Sequence, residues 1–330
     1  MKETLNKLIN HDILSKEDAK QILVNIAKGE YNTSQIAAFL TVYMMRSITI
    51  EELEGFRDAL LELCLAVDLS AYNPIDLCGT GGDGKDTFNI STLASFVTAG
   101  AGVKVTKHGN YGVSSKCGSS NVMEFLGIKF SNEADFLEKS IDEAGICVLH
   151  APLFHPAMKN VAPIRRELGV KTFFNMLGPM VNPAFPKNQM VGVFNLELAR
   201  MYGYLYQNTD KNFTVLHALD GYDEISLTGN TKTISNQSEG MLTPADFGIS
   251  PIRQIDIIGG ESIEGSAQIF LDVLQAKGTE AQNNVVCANA GVAIATVENI
   301  SVKEGFEKAK ESLLNGSGLK ALRKLQELSN

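Results

Sequence analysis

Long apolar runs are missing from this sequence. No stretch of about 18 apolar residues occurs, so no membrane-spanning helix and no membrane partner are expected. The opening segment, MKETLNKLINHDILSKEDAK, is polar and amphipathic and lacks the apolar centre of a secretory signal. Cysteine is scarce: Cys64, Cys78, Cys117, Cys147 and Cys287 are odd in number and scattered, with no C-x-x-C pair. That excludes a disulfide frame or a zinc pattern and predicts reduced thiols in a cytoplasmic protein. Positive charge is in deficit, with 29 Lys and Arg against 38 Asp and Glu for a net charge of −9. Broad nucleic-acid binding is disfavoured, and no nucleic-acid partner is expected. Internal repeats and low-complexity tracts are absent too, which leaves an ordinary soluble enzyme as the first expectation.

What is present fits that expectation. A chain of 330 residues with 44% hydrophobic and 20% charged residues can bury a substantial core, in about two domains. The first 70 residues read as helices. Ser15 with Asp18, and Thr49 with Glu52, have capping-box spacing, Gly29 is a plausible helix stop, and TSQIAAFLTVYMMRSI carries apolar residues at helical period. After Pro74 the rhythm changes. IDLCGT, VKVTKHGN, ICVLHAP, QMVGVFN and FTVLHALDG are short apolar runs with helical segments such as STLASFVTAGAG and LELARMYGYLYQ between them. Strands alternating with helices predict an α/β fold with a mainly parallel central sheet covered on both faces. The expected organisation is a small N-terminal α-helical domain over 1–70, joined by helices from about 155–187, and a larger α/β domain over 71–330.

The segment DLCGTGGDGKDTFNIST, residues 76 to 92, fits two phosphate-binding templates. Gly79, Gly81 and Gly84 spell G-x-G-x-x-G, while Gly79, Gly84 and Lys85 spell G-x-x-x-x-G-K. The second is weakened by Asp86, which stands where a Ser or Thr would hold magnesium. The first is weakened at the next strand, where no acidic residue waits for a ribose hydroxyl. That strand ends instead in Lys107, His108, Gly109 and Asn110, followed by Ser114, Ser115, Lys116 and Ser119, a second set of anion-binding groups. Loops at the carboxyl ends of strands are where ligands sit in such sheets, and Asn89 and Ser91 ahead of TLASFVTAG would add helix N-terminal donors. Two convergent anion sites predict a ligand with two separated phosphates. Asp223 and Glu224, adjacent after another strand, could supply the carboxylates that magnesium takes alongside water and ligand oxygens, or form only a solvated turn.

Four motifs in order, DLCGTGGDGKDTFNIST, KHGN..VSSKCGS, HPAMKNVAPIRRELGVKTFFNMLGPMVNPA and DGYDEIS, resemble the anthranilate phosphoribosyltransferase family of tryptophan biosynthesis. The resemblance runs through nearly the whole chain. It implies a homodimer whose active site lies in a cleft between the two domains, with possible association with a glutamine amidotransferase of anthranilate synthase. It implies transfer of the phosphoribosyl group of 5-phosphoribosyl 1-diphosphate (PRPP) to the amine of anthranilate, with release of diphosphate. Carried over by position, Gly79, Gly82, Asp83, Thr87, Asn89, Ile90, Ser91 and Thr92 would contact PRPP. Lys107, His108, Gly109, Asn110, Tyr111, Gly112, Val113, Ser114, Ser115 and Ser119 would complete its site. Ser91, Asp223 and Glu224 would hold Mg2+. Gly79, Asn110 and Arg165 would bind anthranilate, with His108 and His155 lining its path.

These residue types suit that chemistry. PRPP carries a 5-phosphate and a diphosphate, which two anion loops would serve, and Arg165 offers a planar fork for a carboxylate. Arg166 beside it could equally form a structural ion pair. The sequence departs from the family at Tyr111 and Gly112, where a basic and a small residue are usual, and at Cys117 and Asn121, where Ser and Asp are usual. A pyrimidine nucleoside phosphorylase shares the expected fold but does not need the carboxylate pair. A non-catalytic, nucleic-acid-binding relative would have a basic surface and an eroded glycine loop.

Overall fold

The computed structural model describes residues 1–112 and 117–330, and the chain falls into two units, residues 1–67 with 151–183 and residues 68–150 with 184–330. In the first unit, helix starts follow their caps. Ser15 Oγ accepts the Asp18 N–H (3.1 Å) ahead of Lys16–Ala27, and Thr49 and Glu52 form a full capping box ahead of Ile50–Leu63. Asn32 and Gln35 form another ahead of Thr33–Met45. Gly29 follows the helix Lys16–Ala27 at φ +76°, the left-handed turn that an L side chain resists. The unit's centre is aromatic. Phe39, Tyr43 and Phe56 meet Phe173 from the returning segment, with the Phe56 and Phe173 rings stacked at 4.4 Å.

Glu52 is fully buried within this unit. Its carboxylate accepts the N–H groups of Leu14 (3.0 Å) and Thr49 (2.9 Å) and the Tyr43 hydroxyl (2.9 Å), and it pairs with Arg46. An isosteric Glu52→Gln change leaves Arg46 without its anion and turns one acceptor into a donor. It is expected to cost about 2 kcal/mol, read as a lower midpoint in thermal or denaturant unfolding. An unchanged midpoint would mean the cluster is energetically idle.

In the second unit, the described residues form a seven-stranded sheet: β1 Ile75–Gly79, β2 Val105–Gly109, β3 Ile146–His150, β4 Asn188–Gly192, β5 Asn212–Ala218, β6 Thr231–Ser235 and β7 Glu239–Leu242. Their spatial order is β3-β2-β1-β4-β5-β6-β7, parallel from β3 through β5 and antiparallel beyond. The mainly parallel α/β fold expected from the sequence is therefore present, with an antiparallel edge that TKTISNQSEGML did not announce. Its strands are partly exposed and too weakly apolar to stand out. The crossover helix Ile90–Gly100 leads from β1 to β2, and Leu196–Gln207 leads from β4 to β5. Chain progress thus diverges at the β1–β4 boundary, the crevice where ligands collect in such sheets. Glu280–Glu298, in the tail expected to give amphipathic helices, is instead buried along most of its length. Among the described residues no single helix is long and apolar enough to cross a membrane.

Candidate phosphate and metal site

The divergence point is built around glycine. β1 ends at Gly79, and Gly81, Gly82 and Gly84 follow at φ +67°, +76° and +74°. These left-handed turns let successive backbone N–H groups face one concavity, which is how an anion is held without side-chain charge. Asp83 Oδ1 accepts the Lys85 N–H (3.0 Å), and the loop's far end is anchored where Thr87 bridges Ile258 and Asp86 O accepts the Gly259 N–H (2.7 Å). The helix then begins at Ile90 with Asn89 in the cap position. The sequence placed both Asn89 and Ser91 ahead of that helix. In the structure Ser91 lies in its first turn, and Asn89 Nδ2 donates to Cys117 O (3.1 Å). The side chains of Ile90 and Thr92 are buried, and the Ile90 main-chain N–H donates to Phe88 O (2.7 Å).

Asp223 and Glu224 occupy the turn after β5, and both are buried, at 7% and 8% exposure. Gly79 and Gly192 are register partners on β1 and β4. A Cβ placed on Gly192 would overlap the Asp223 carbonyl, and one on Gly79 would lie 2.9 Å from its Cγ. The two glycines form a notch that admits Asp223 at the switch point. Asp223 Oδ2 accepts the Gly81 N–H (2.7 Å), and Glu224 Oε1 accepts the Ser91 N–H (3.2 Å). From behind, Asn289 clamps Ile225, accepting its N–H (3.0 Å) and donating to its carbonyl (2.9 Å). The acidic turn is therefore fixed to the glycine loop on one side and to a core helix on the other.

Charge in this turn is out of balance. Burial first, and then Glu224 and Asp83, push the Asp223 carboxyl well above the usual range. Burial lifts Glu224 to about 7 against the pull of Lys107 and Ser91. Lys107 is 2% exposed, donates to Leu77 O (2.9 Å), and has its own pKa lowered by burial. One desolvated ammonium beside these carboxylates leaves room for a divalent cation. Among the described residues no cluster of three or more His, Cys, Asp or Glu is arranged to hold a metal. A site with few protein ligands is the kind magnesium accepts, since it retains water and ligand oxygens. The residues present therefore fit Mg2+.

A pH dependence follows. Both carboxyls titrate above their unfolded values, so the folded protein retains protons that the unfolded chain has already lost. Metal-free stability should fall as pH rises from the ordinary Glu value of 4.5 towards about 7. Mg2+ binds the ionised pair, so its thermal stabilisation should be larger at pH 8 than at pH 5.5. A stabilisation independent of pH would place the ion elsewhere.

The second set begins at the end of β2. His108 is buried, and its N–H donates to Asp76 Oδ1 (3.2 Å). Asn110 O accepts from Ser119 Oγ (3.3 Å) and from the Ser120 N–H (3.2 Å), and a Cβ on Gly109 would meet Ser119 Oγ at 2.6 Å. Tyr111 bonds Glu124 (3.3 Å) and sets its ring edge on His150 at 4.8 Å. Asn121 Oδ1 accepts the N–H groups of both Gly112 and Gly118 (3.0 Å each). Val113, Ser114 and Ser115, with Lys116, lie outside the described residues.

Arg165 and His155 belong to the first unit. Arg165 is half-buried beside exposed Arg166; its Nη2 donates to Asn175 Oδ1 (3.2 Å), and its guanidinium lies 5.3 Å from the Phe174 ring centroid. Burial lowers its pKa, and no acidic group is acting on it among the described residues. His155 is pushed down to about 4 by burial, with the backbone of Val181 and Leu60 as hydrogen-bond partners. Such an imidazole is neutral near pH 7 and a weak base. Sequence reasoning passed over Gly192, Asp76 and Asn289. A glycine within a strand run and an aspartate within IDLC were visible signals for the first two; nothing local marks Asn289.

Comparison with known proteins agrees along the full length. The model described as the α/β domain of a glycosyl transferase family matches residues 71–319, and that of the helical bundle domain matches 2–64. An anthranilate phosphoribosyltransferase of Flavobacterium psychrophilum is 76% identical over 329 residues, spanning 100% of both chains. One from Bacteroides thetaiotaomicron is 51% identical over 331 residues, again spanning 100% of both. Among solved structures, anthranilate phosphoribosyltransferase from Thermus thermophilus superposes with a TM-score of 0.91 at 31% identity, covering 98% of each chain. The Saccharomyces cerevisiae enzyme in complex with PRPP and Mg gives 0.90 at 27%, covering 98% of this chain and 96% of that one.

Proposed function

Since the chain belongs to the anthranilate phosphoribosyltransferase family, we propose that it transfers the phosphoribosyl group of PRPP to the amine of anthranilate in L-tryptophan biosynthesis. The products are N-(5-phosphoribosyl)anthranilate and diphosphate. The observation that carries the mechanistic reading is the notch at Gly79 and Gly192, which seats Asp223 directly against the phosphate-type loop. A carboxylate pair held beside a backbone anion cradle is the equipment a phosphorylated, metal-bound sugar needs.

In this reading, Gly79, Gly82, Asp83, Thr87 and Asn89 to Thr92 contact PRPP, completed by Lys107 to Asn110, Tyr111, Gly112 and Ser119. Ser91, Asp223 and Glu224 hold Mg2+, which neutralises charge on the diphosphate when bound. The C1–O bond to diphosphate breaks, the bond from the amine nitrogen to C1 forms, and the nitrogen gives up one proton. Negative charge accumulates on the leaving oxygens, so fixed N–H donors and Lys107 favour the transition state over the ground state. The aromatic amine is a ready nucleophile, so orientation contributes more than a strong base. Arg165 takes the anthranilate carboxylate; Gly79, Asn110, His108 and His155 are the other anthranilate residues that the family resemblance implies. A homodimer, a cytoplasmic setting and association with an amidotransferase belong to the same reading.

Anthranilate fluorescence should fall only when PRPP and Mg2+ are both added, with diphosphate released one for one. Ribosylation of uracil or thymine would favour the phosphorylase instead, and a shifted DNA band without either reaction would favour the binding module. Arg165→Lys removes the planar fork but keeps the charge. It is expected to raise the anthranilate KM about tenfold with the PRPP KM unchanged. Equal changes in both constants would take Arg165 out of carboxylate recognition.

A further inference from the structure

The lysine that gives the glycine loop its resemblance to a nucleotide-binding motif has another job in the structure. Lys85 Nζ lies 4.6 Å from the centroid of the Tyr222 ring, within cation–π range. Tyr222 is buried and immediately precedes Asp223. The Lys85 stem runs along Gly221, its Cε 3.4 Å from where a Cβ on that glycine would stand. Gly221 has φ +101°, a conformation that calls for glycine, and the lysine stem lies in ordinary van der Waals contact with it.

Two kinds of tie join the glycine loop and the helix after it to the acidic turn: hydrogen bonds to the carboxylates, among them Gly81 N–H to Asp223 and Ser91 N–H to Glu224, and Lys85 over Tyr222. The hydrogen bonds use carboxylate oxygens that a metal would compete for. The lysine contact does not. We infer that Lys85 is a positioning residue, a latch that keeps the loop and the turn in register while the carboxylates change partners. This rests on the proposed function, because the partner exchanged is taken to be Mg2+ with PRPP. The latch serves capture of that complex and leaves the bond-making step to other groups.

The test uses Lys85→Ala, Lys85→Arg, Tyr222→Leu and the Ala/Leu double variant. In metal-free protein, amide hydrogen exchange over 79–89 and 219–227 should speed up about threefold to tenfold in Lys85→Ala, and Lys85→Arg should restore it. With substrates, the PRPP KM and the Mg2+ half-saturation should rise by a similar factor of about three to ten, with kcat within about twofold. The double variant should be no worse than either single one. Unchanged exchange, additive effects in the double variant, faster exchange with an unchanged PRPP KM, or a fall in kcat at constant KM would each overturn the latch. Failure of the wild-type chain to consume anthranilate would sink the transferase reading, whereas unchanged exchange in metal-free Lys85→Ala would sink the latch whatever the wild-type chain does.

Discussion

Replacing Gly192 with alanine is expected to lower turnover at least about 100-fold while the protein still folds. The added methyl would overlap the Asp223 carbonyl, and neither strand can yield easily, because β4 is paired on both sides, with β1 and with β5. The turn carrying Asp223 and Glu224 must move instead. A displacement of about 1 Å at a positioned group is enough for a loss of that order. Alanine is acceptable to a strand backbone, so circular dichroism should report an intact fold. The Mg2+ requirement should rise with the loss, since the displaced groups are the proposed metal ligands. Wild-type kinetics in Gly192→Ala would show that the notch does not set the position of Asp223.

The double substitution Asp223→Asn with Glu224→Gln is expected to separate activity from stability. Both carboxyls are lifted chiefly by burial, so above neutrality the folded protein carries ionised groups that it solvates poorly. Neutral amides of nearly equal volume remove that cost. Turnover should fall about 1,000-fold, since no anionic pair remains to hold the ion that neutralises the diphosphate. Metal-free Tm at pH 8 should nevertheless rise by about 2 to 5 °C. The gain should vanish near pH 5, where the native carboxyls are protonated. A loss of both stability and activity would mean that the carboxylates are paired more fully than their burial indicates.

Much of this was legible in the sequence because local chemistry dictated it. Apolar runs such as IDLC and ICVLH become parallel strands, the first central and the second at the sheet's edge, since burial on both faces leaves no polar side to alternate. Ser15, Thr49 and Gly29 mark helix ends for reasons internal to a few residues. The glycine loop announced itself through residue types alone. Other features depended on residues far apart in the chain. Gly192 matters because it is in register with Gly79 and faces a turn that begins some thirty residues later, a relation that only sheet order creates. Asn289 secures the acidic turn from a buried helix, at a sequence distance of 64. The edge hairpin went unread because a partly exposed strand pair has little apolar pattern to detect. Lys85 stood out in the sequence only by its spacing in a nucleotide-binding template, yet its ring partner is set by the fold of the turn.

Calorimetric titration of PRPP into the protein, with and without Mg2+, tests the joint action of the loop and the acidic turn most directly. Saturable heat should appear for the wild-type chain only when Mg2+ is present, and should disappear in the Asp223→Asn, Glu224→Gln variant. Equal heats with and without the metal, or undiminished uptake by that variant, would contradict it.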